Sequence, residues 1–310
     1  TSTLPGAYGE SIVMRLLNPK SISVPLEALG MHPVLLAIVN EEIAKPNGML
    51  LTTGPTGSGK TTTLYAVLRK IHTPGVKIIT IEDPIEYHLA GIVQTQIEKD
   101  KHYTFASGLR AALRQDPDVI MVGEIRDEET AEIAINASLT GHLVSSTLPT
   151  NNAAGTFPRL IDLGVNPKVI TSAITLAMAQ RLVRKLCDAC KVETVVTEKD
   201  RVKIEVILKT LPVGVKLLQE EFDSYKMWVA KGCEKSNQTG YKGRLGVYEP
   251  ISADSAIEKI VRENPSEREI EAVAKSQGIP TMTQDGILKV LAGVTSLEEL
   301  ERVVDLSASQ

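Results

Sequence analysis

Residues 54–61 read Gly54-Pro55-Thr56-Gly57-Ser58-Gly59-Lys60-Thr61, the spacing G-x-x-x-x-G-K-[ST]. Each residue type has its own task around a polyphosphate. The glycines let the backbone fold closely enough for successive N–H groups to point at phosphate oxygens. The Lys60 ammonium neutralises the β- and γ-phosphates, and the Thr61 hydroxyl can ligate Mg²⁺. An apolar run, Met49-Leu50-Leu51-Thr52-Thr53, enters this loop as a buried strand does. A helix-compatible stretch from Thr62 to Lys70 leaves it, which puts a helix N-terminus under the anion. A chance glycine-rich turn has no reason to sit between a strand and a helix in this order. Gly54 through Thr62 are therefore expected to bind a nucleoside triphosphate.

Two acidic segments carry the remaining candidate chemistry. Val119-Ile120-Met121-Val122-Gly123-Glu124-Ile125-Arg126-Asp127 is an apolar strand running into an acid. Phosphate-loop enzymes place there the carboxylate that organises Mg²⁺, so Glu124 is the candidate, with Asp127 equally readable as a helix N-cap. Ile81-Glu82-Asp83-Pro84-Ile85-Glu86-Tyr87 follows another apolar strand. Acids at the C-terminal end of a strand beside the loop-bearing strand face the nucleotide crevice. Glu86 and Glu82 are thus the candidates for placing or activating water, against the plainer reading of a solvated acidic loop.

These residues need a framework that brings strand ends together. Strand-like runs at 76–81, 92–97, 119–122 and 143–147 alternate with helical patterns at 105–114, 127–139 and 151–163. Alternation of this kind predicts an α/β fold, a mostly parallel sheet covered on both faces. The pattern at 170–186 is read as continued helix, and helical periodicity over 252–306 is broken near Pro265, Pro280 and Gly293. The start, Thr3 to Gly9, reads as a turn followed by a strand from Ser11 to Leu17. A hairpin with its first strand nearly cut away suggests part of a longer protein. The expected divisions are 1–20 (hairpin end and linker), 21–186 (nucleotide-binding core), 187–247 (a cysteine-bearing insertion) and 248–310 (a helical region).

Composition bounds what such a chain can be. With 310 residues, 43% apolar and 23% charged, it has ample material for a core. A net charge of −4 argues against a surface that coats nucleic acid, and no direct nucleic-acid partner is expected. No apolar run approaches the ~20 residues of a membrane span. Three cysteines, an odd number, suit a reducing cytosol better than a disulfide framework.

Taken together, the phosphate loop, the acidic segment 81–87, Phe105–Arg110, Leu113–Asp127, Thr140–Val144, Ala179–Arg184 and Thr239–Arg244 resemble the secretion ATPase family. The resemblance covers nearly the whole chain and is to its assembly branch, the ATPases of type IV pili and type II secretion. It implies a RecA-like motor core that hydrolyses ATP with Mg²⁺ as a hexameric ring, each nucleotide lying between neighbouring subunits. Glu86 is then implied as the catalytic glutamate and Glu124 as the Mg²⁺-associated acid. Arg15 and Arg126, with Arg110 and Arg114, match family arginines that stabilise charge on the transferring phosphoryl group; Arg15 is also readable as a surface strand residue, and some of the others as ion-pair partners. His142 matches a family histidine box, though a lone histidine at a strand entry is as readily structural. The resemblance further implies work delivered to an inner-membrane platform protein, with the motor peripheral at the cytoplasmic face.

Two departures from the family pattern stand out. The histidine box normally ends Thr-Leu-His-Thr-Asn, whereas this chain has Thr147-Leu148-Pro149-Thr150-Asn151. Proline offers neither a polar side chain nor an N–H. That loss leaves open a subunit that binds nucleotide and hydrolyses it slowly or not at all; a DNA-translocating motor is a more distant alternative. The assembly branch also carries two C-x-x-C pairs that hold Zn²⁺. Here Cys187 and Cys190 form one pair, but Cys233 is matched with Ser236. Three thiolates and a serine make a poorer zinc site than four thiolates, so a weakened site and a subdomain folding without metal both stand.

Overall fold

The computed structural model describes residues 2–14, 23–213, 215 and 226–306. Its centre is a seven-stranded sheet ordered β11-β8-β3-β7-β6-β4-β5. The strands are β3 (Gly48–Thr53), β4 (Ile78–Glu82), β5 (Val93–Gln96), β6 (Val119–Val122), β7 (Leu143–Leu148), β8 (Ile174–Leu186) and β11 (Tyr241–Ser252). All neighbours pair parallel except β11, which runs antiparallel along β8.

Strand alternation sorts the apolar residues into two cores. Met49, Leu51, Ile79, Ile81, Ile120, Val122 and Val144 point to one face, packed against α4 (Glu128–Leu139) and the C-terminal helices. Leu50, Ile78, Val119, Met121 and Met178 point to the other, packed against α1 (Pro33–Ile43) and α2 (Lys60–Ile71). Both faces are covered, as parallel sheets require. The expected strands and helices from 76 to 148 are found within a few residues of their expected bounds. Asp127 is the N-cap of α4, its side chain accepting from Thr130 N at 2.8 Å.

Three expectations are corrected. The run 170–186 is not one helix: α6 (Pro167–Ala173) ends and the thirteen-residue strand β8 follows. Its Leu, Ala, Met, Gln and Arg residues favour helix, but the segment is inserted between β3 and β11 with most side chains buried, and tertiary pairing overrides that preference. The division at 247 falls inside β11, which belongs to the central sheet. At the start, Ser2–Gly6 (β1) and Gly9–Val13 (β2) pair as an antiparallel hairpin, so a strand stands where a turn over 3–9 was expected. Residues 15–17 lie outside the described residues.

The insertion after β8 carries β9 (Lys191–Val195), α7 (Glu198–Lys209) and β10 (Lys226–Ala230), with β9 and β10 an antiparallel pair. Beyond β11 come α8 (Ser255–Glu263), α9 (Glu267–Ala274), α10 (Met282–Leu291) and α11 (Leu297–Glu301). Their Ile257, Val261, Ile270, Ile287, Val290 and Leu300 are fully buried in the same core as Val183 and Val247 of the sheet. Among the described residues, no helix is long and apolar enough to cross a membrane.

Candidate nucleotide site

The loop 54–59 connects the end of β3 to the start of α2. Gly54, Gly57 and Gly59 have φ of 138°, 81° and 93°, values that side-chain-bearing residues rarely adopt. A Cβ on Gly54 would lie 2.5 Å from the Gln180 carbonyl oxygen and 2.8 Å from Ser58 Oγ. Gly59 caps α2 with no side-chain hydrogen bond, so the first-turn N–H groups of this twelve-residue helix are left for an anion. Lys60 Nζ donates to the carbonyls of Gly54 (2.7 Å) and Pro55 (3.1 Å), which holds the ammonium at the loop's mouth. Burial lowers its pKa; the Glu124 carboxylate opposes that shift and the Arg181 guanidinium adds to it. Lys60 therefore lies within electrostatic reach of both.

Glu124 follows β6 and is half-buried. Arg126 clamps it, donating from Nε at 2.7 Å and from a terminal guanidinium nitrogen at 2.6 Å to the same oxygen. That hydrogen bond raises the Arg126 pKa, and Asp83 adds to the effect, so the acidic segment after β4 lies near the same pair. Glu86 sits in the loop that follows β4 and is half-buried. The strand ends of β3, β4, β6 and β7 thus converge on one crevice, with Pro149 exposed at the end of β7. Thr150, next to it, is tied to Thr53 of β3: its N–H donates to Thr53 Oγ1 at 3.2 Å, and that hydroxyl donates to the Thr150 carbonyl at 2.6 Å.

Two of the expected catalytic residues are held differently: Glu82 ends β4 with its side chain buried, and His142 lies at the far end of β7. Glu82 is 2% exposed. Its carboxylate accepts from the Tyr65 hydroxyl, from Thr80 Oγ1 at 2.6 Å and from Gln94 Nε2 at 2.9 Å. Gln94 in turn donates to the Tyr87 carbonyl at 3.0 Å and accepts from Leu89 N at 2.7 Å. Glu82 is a buried anchor that shapes the loop carrying Glu86, not a group that meets water. His142 lies at the entry of β7, where its carbonyl accepts from Gly48 N and its Nδ1 is 3.0 Å from the Ala137 carbonyl oxygen. Gly48 starts the strand that delivers the phosphate loop, so His142 is a strand length away, roughly 20 Å for six residues. It has no place at this chain's own crevice. Arg110 is in an exposed ion pair with Glu129 at 2.6 Å. Arg15 lies outside the described residues.

Gln180 and Arg181 of β8 are participants that the motif spacing did not single out. Gln180 is buried and its Nε2 donates to the Ser58 carbonyl at 2.7 Å, bracing the phosphate loop from the neighbouring strand. Arg181 donates to the Gln180 carbonyl at 3.0 Å and to the Asn151 carbonyl at 2.7 Å, and burial lowers its pKa. It links the loop to the segment after β7. A polar pair in a segment read as helix gave no signal of facing the loop.

The site fits a nucleoside triphosphate with Mg²⁺: a glycine cradle, an ammonium, unpaired helix N–H groups, and a hydroxyl (Thr61) and carboxylate (Glu124) to share the metal. Bound there, Mg²⁺ would supply charge neutralisation on the β- and γ-phosphates. The N-terminus of α2 and Lys60 would face the phosphates of such a ligand, and Glu86 lies in the loop that follows β4.

A second cluster gathers in the insertion. The sulfurs of Cys187, Cys190 and Cys233 all lie within 4.8 Å of one another, Cys187 and Cys233 at 3.9 Å. Zinc–thiolate bonds of about 2.3 Å place tetrahedral sulfurs about 3.8 Å apart, so the three thiols fit zinc. Ser236 Oγ stands 3.5 Å from Cys233 Sγ and 3.7 Å from Cys190 Sγ. Hydrogen bonds with Ser236 and then Cys190 lower the Cys233 pKa to about 7, while burial raises that of Cys190.

A parallel sheet with a phosphate loop after β3 and an acid after β6 defines a RecA-like nucleoside triphosphate-binding protein. Residues 1–302 match the family model described as Type II/IV secretion system protein, and the chain belongs to that family. It is 47% identical over 302 residues to type II secretion system protein E of Aeromonas hydrophila, covering 97% of this chain and 58% of the relative. The type IV pilus assembly ATPase PilB of Thermus thermophilus is 44% identical over 302 residues, covering 96% of this chain and 32% of that protein. The chain thus spans little more than half of the first relative and a third of the second. Among solved structures, the pilus retraction motor PilT with bound ADP superimposes with a TM-score of 0.64 at 27% identity, covering 98% of this chain and 73% of that one.

Proposed function

We propose that this chain is the ATP-hydrolysing motor region of a machine that assembles type IV pili or type II secretion pseudopili. The observation that supports the proposal is that β3, β6 and β4 run parallel in one sheet and that the phosphate loop, Glu124 with Arg126, and the Glu86 loop follow their C-terminal ends. In this reading Lys60 and the α2 N-terminus hold the triphosphate, Thr61 and Glu124 share Mg²⁺, and Glu86 orients the attacking water. Phosphoryl transfer needs such positioning and charge stabilisation more than covalent chemistry. The site is completed in a homo-hexameric ring, with arginines, Arg15 among them, acting at the nucleotide. Work passes to an inner-membrane platform protein from the cytoplasmic face.

In this reading the cysteine-bearing insertion expected at 187–247 favours the assembly branch over retraction motors. The expected result is phosphate release from ATP that rises on adding the cytoplasmic part of a platform protein and stays unchanged on adding DNA. Stimulation by DNA alone would assign the chain to the translocating motors instead. Pro149 favours a second reading, a subunit that binds ATP and turns it over slowly, because the crevice end of β7 then offers one donor fewer.

A further inference from the structure

We propose that Ser236 closes the cysteine knuckle by hydrogen bonds in place of a fourth metal bond, leaving a three-thiolate site that needs no zinc to stay folded. Ser236 stands beside Cys190 and Cys233, as the distances above give, and is 4% exposed. A hydroxyl has one donor and two acceptor positions; backbone groups of the loop occupy all three, and the Cys190 and Cys233 sulfurs beside it compete with the Cys233 carbonyl for its single hydrogen. Ser236 Oγ donates to the Cys233 carbonyl at 2.9 Å and accepts from Cys233 N at 3.0 Å and Gly240 N at 3.2 Å. Ligating a metal would require giving up an amide at a buried position, and an orphaned buried N–H is costly.

The surrounding loop is built around that oxygen. Asn237 and Gln238 hold positive φ of 48° and 61°, common for asparagine as a helix C-cap but unusual for glutamine. A Cβ on Gly232 would lie 2.5 Å from the Gln238 carbonyl oxygen, and one on Gly240 2.5 Å from Ala230 Cβ. Gln238 N and Ser236 N both return to the Cys233 carbonyl. Cys187 N donates to the Gly240 carbonyl at 2.9 Å, so the same loop fastens the end of β8 to the start of β11. The clasp thereby stabilises the strand that carries Gln180 and Arg181. Zinc bound at this knuckle is held by Cys187, Cys190 and Cys233, with the fourth position filled by an exchangeable external ligand.

The test compares wild type, Ser236→Cys and Ser236→Thr in the full chain. Two quantities are read: zinc retained after dialysis against a chelator, and hydrogen-exchange protection of the Cys233 and Gly240 amides in the metal-free state. Wild type and Ser236→Thr are expected to lose zinc yet keep both amides protected. Ser236→Cys is expected to retain one zinc per chain and to lose amide protection once a stronger chelator removes it. Outer-shell partners alone change metal affinity by roughly 10–100-fold, so a fourth thiolate is expected to tighten zinc by at least about 100-fold. Wild type that keeps one zinc per chain through the dialysis, or loses amide protection with the metal, would overturn the proposal. So would a Ser236→Cys protein indistinguishable from wild type in both readouts.

Discussion

Glu82 and Glu86 stand four positions apart in sequence, and their surroundings assign them different work. Glu82 has three donors on its carboxylate and none of its surface in solvent to speak of. Exchanging it for glutamine puts an NH₂ group among those donors. Glu82→Gln is expected to cost about 1–3 kcal/mol of stability, read by chemical denaturation, while ATP still binds to the folded fraction. Pro149 is the other decisive residue. It is exposed at the crevice end of β7, and its neighbour Thr150 is fixed to Thr53 at the base of the phosphate loop. Pro149→His restores a donor at that place. Turnover is expected to rise by roughly 10²-fold in steady-state phosphate release, the size of a single donor to developing charge. An unchanged rate would show that this position does not touch the reacting phosphate.

At the scale of elements, β8 explains both what the sequence made legible and what it hid. Strands 119–122 and 143–147 were plain because short apolar runs end at turns and sit between helical patterns. In β8 the residues Ala177, Met178, Ala179, Gln180 and Leu182 favour helix locally, and only pairing with β3 and β11, distant in sequence, makes them a strand. For the same reason Gln180 and Arg181 were unreadable as braces of the phosphate loop. Glu299 of α11 then ties β8 to the C-terminal helices: it is fully buried and accepts from Arg184 N (2.9 Å), Arg184 Nε (2.7 Å) and Arg302 (2.7 Å). Burial alone would raise its pKa, but the hydrogen bonds from Arg302 and Arg184 outweigh it and bring it to about 2. A carboxylate depressed when folded adds stability above its unfolded pKa of about 4.3, and that stability is lost as pH falls towards 2. Between pH 5 and pH 2.5 the melting temperature of wild type is therefore expected to fall more steeply than that of Glu299→Gln, which has no such proton to bind. Parallel pH profiles would contradict the role given to Glu299.

Among the described residues the largest sheet has seven strands, and a loop, a clamped acid and an acidic segment follow the C-terminal ends of three of them. That arrangement was legible in the sequence, since Gly54–Thr61, Glu124 and Glu86 each follow an apolar run. The corrections concern distance and burial, which motif matching does not measure: His142 matches a family box but sits at the opposite end of β7, and Glu82 points into the core. The most direct test of the central claim is single-turnover phosphate release from ATP by wild type and by Glu86→Gln, with nucleotide affinity measured alongside. Equal affinities with release lowered by about 10²-fold or more in Glu86→Gln are the predicted result. Equal release rates in the two proteins would contradict the assignment of Glu86 and, with it, this crevice as a hydrolytic site.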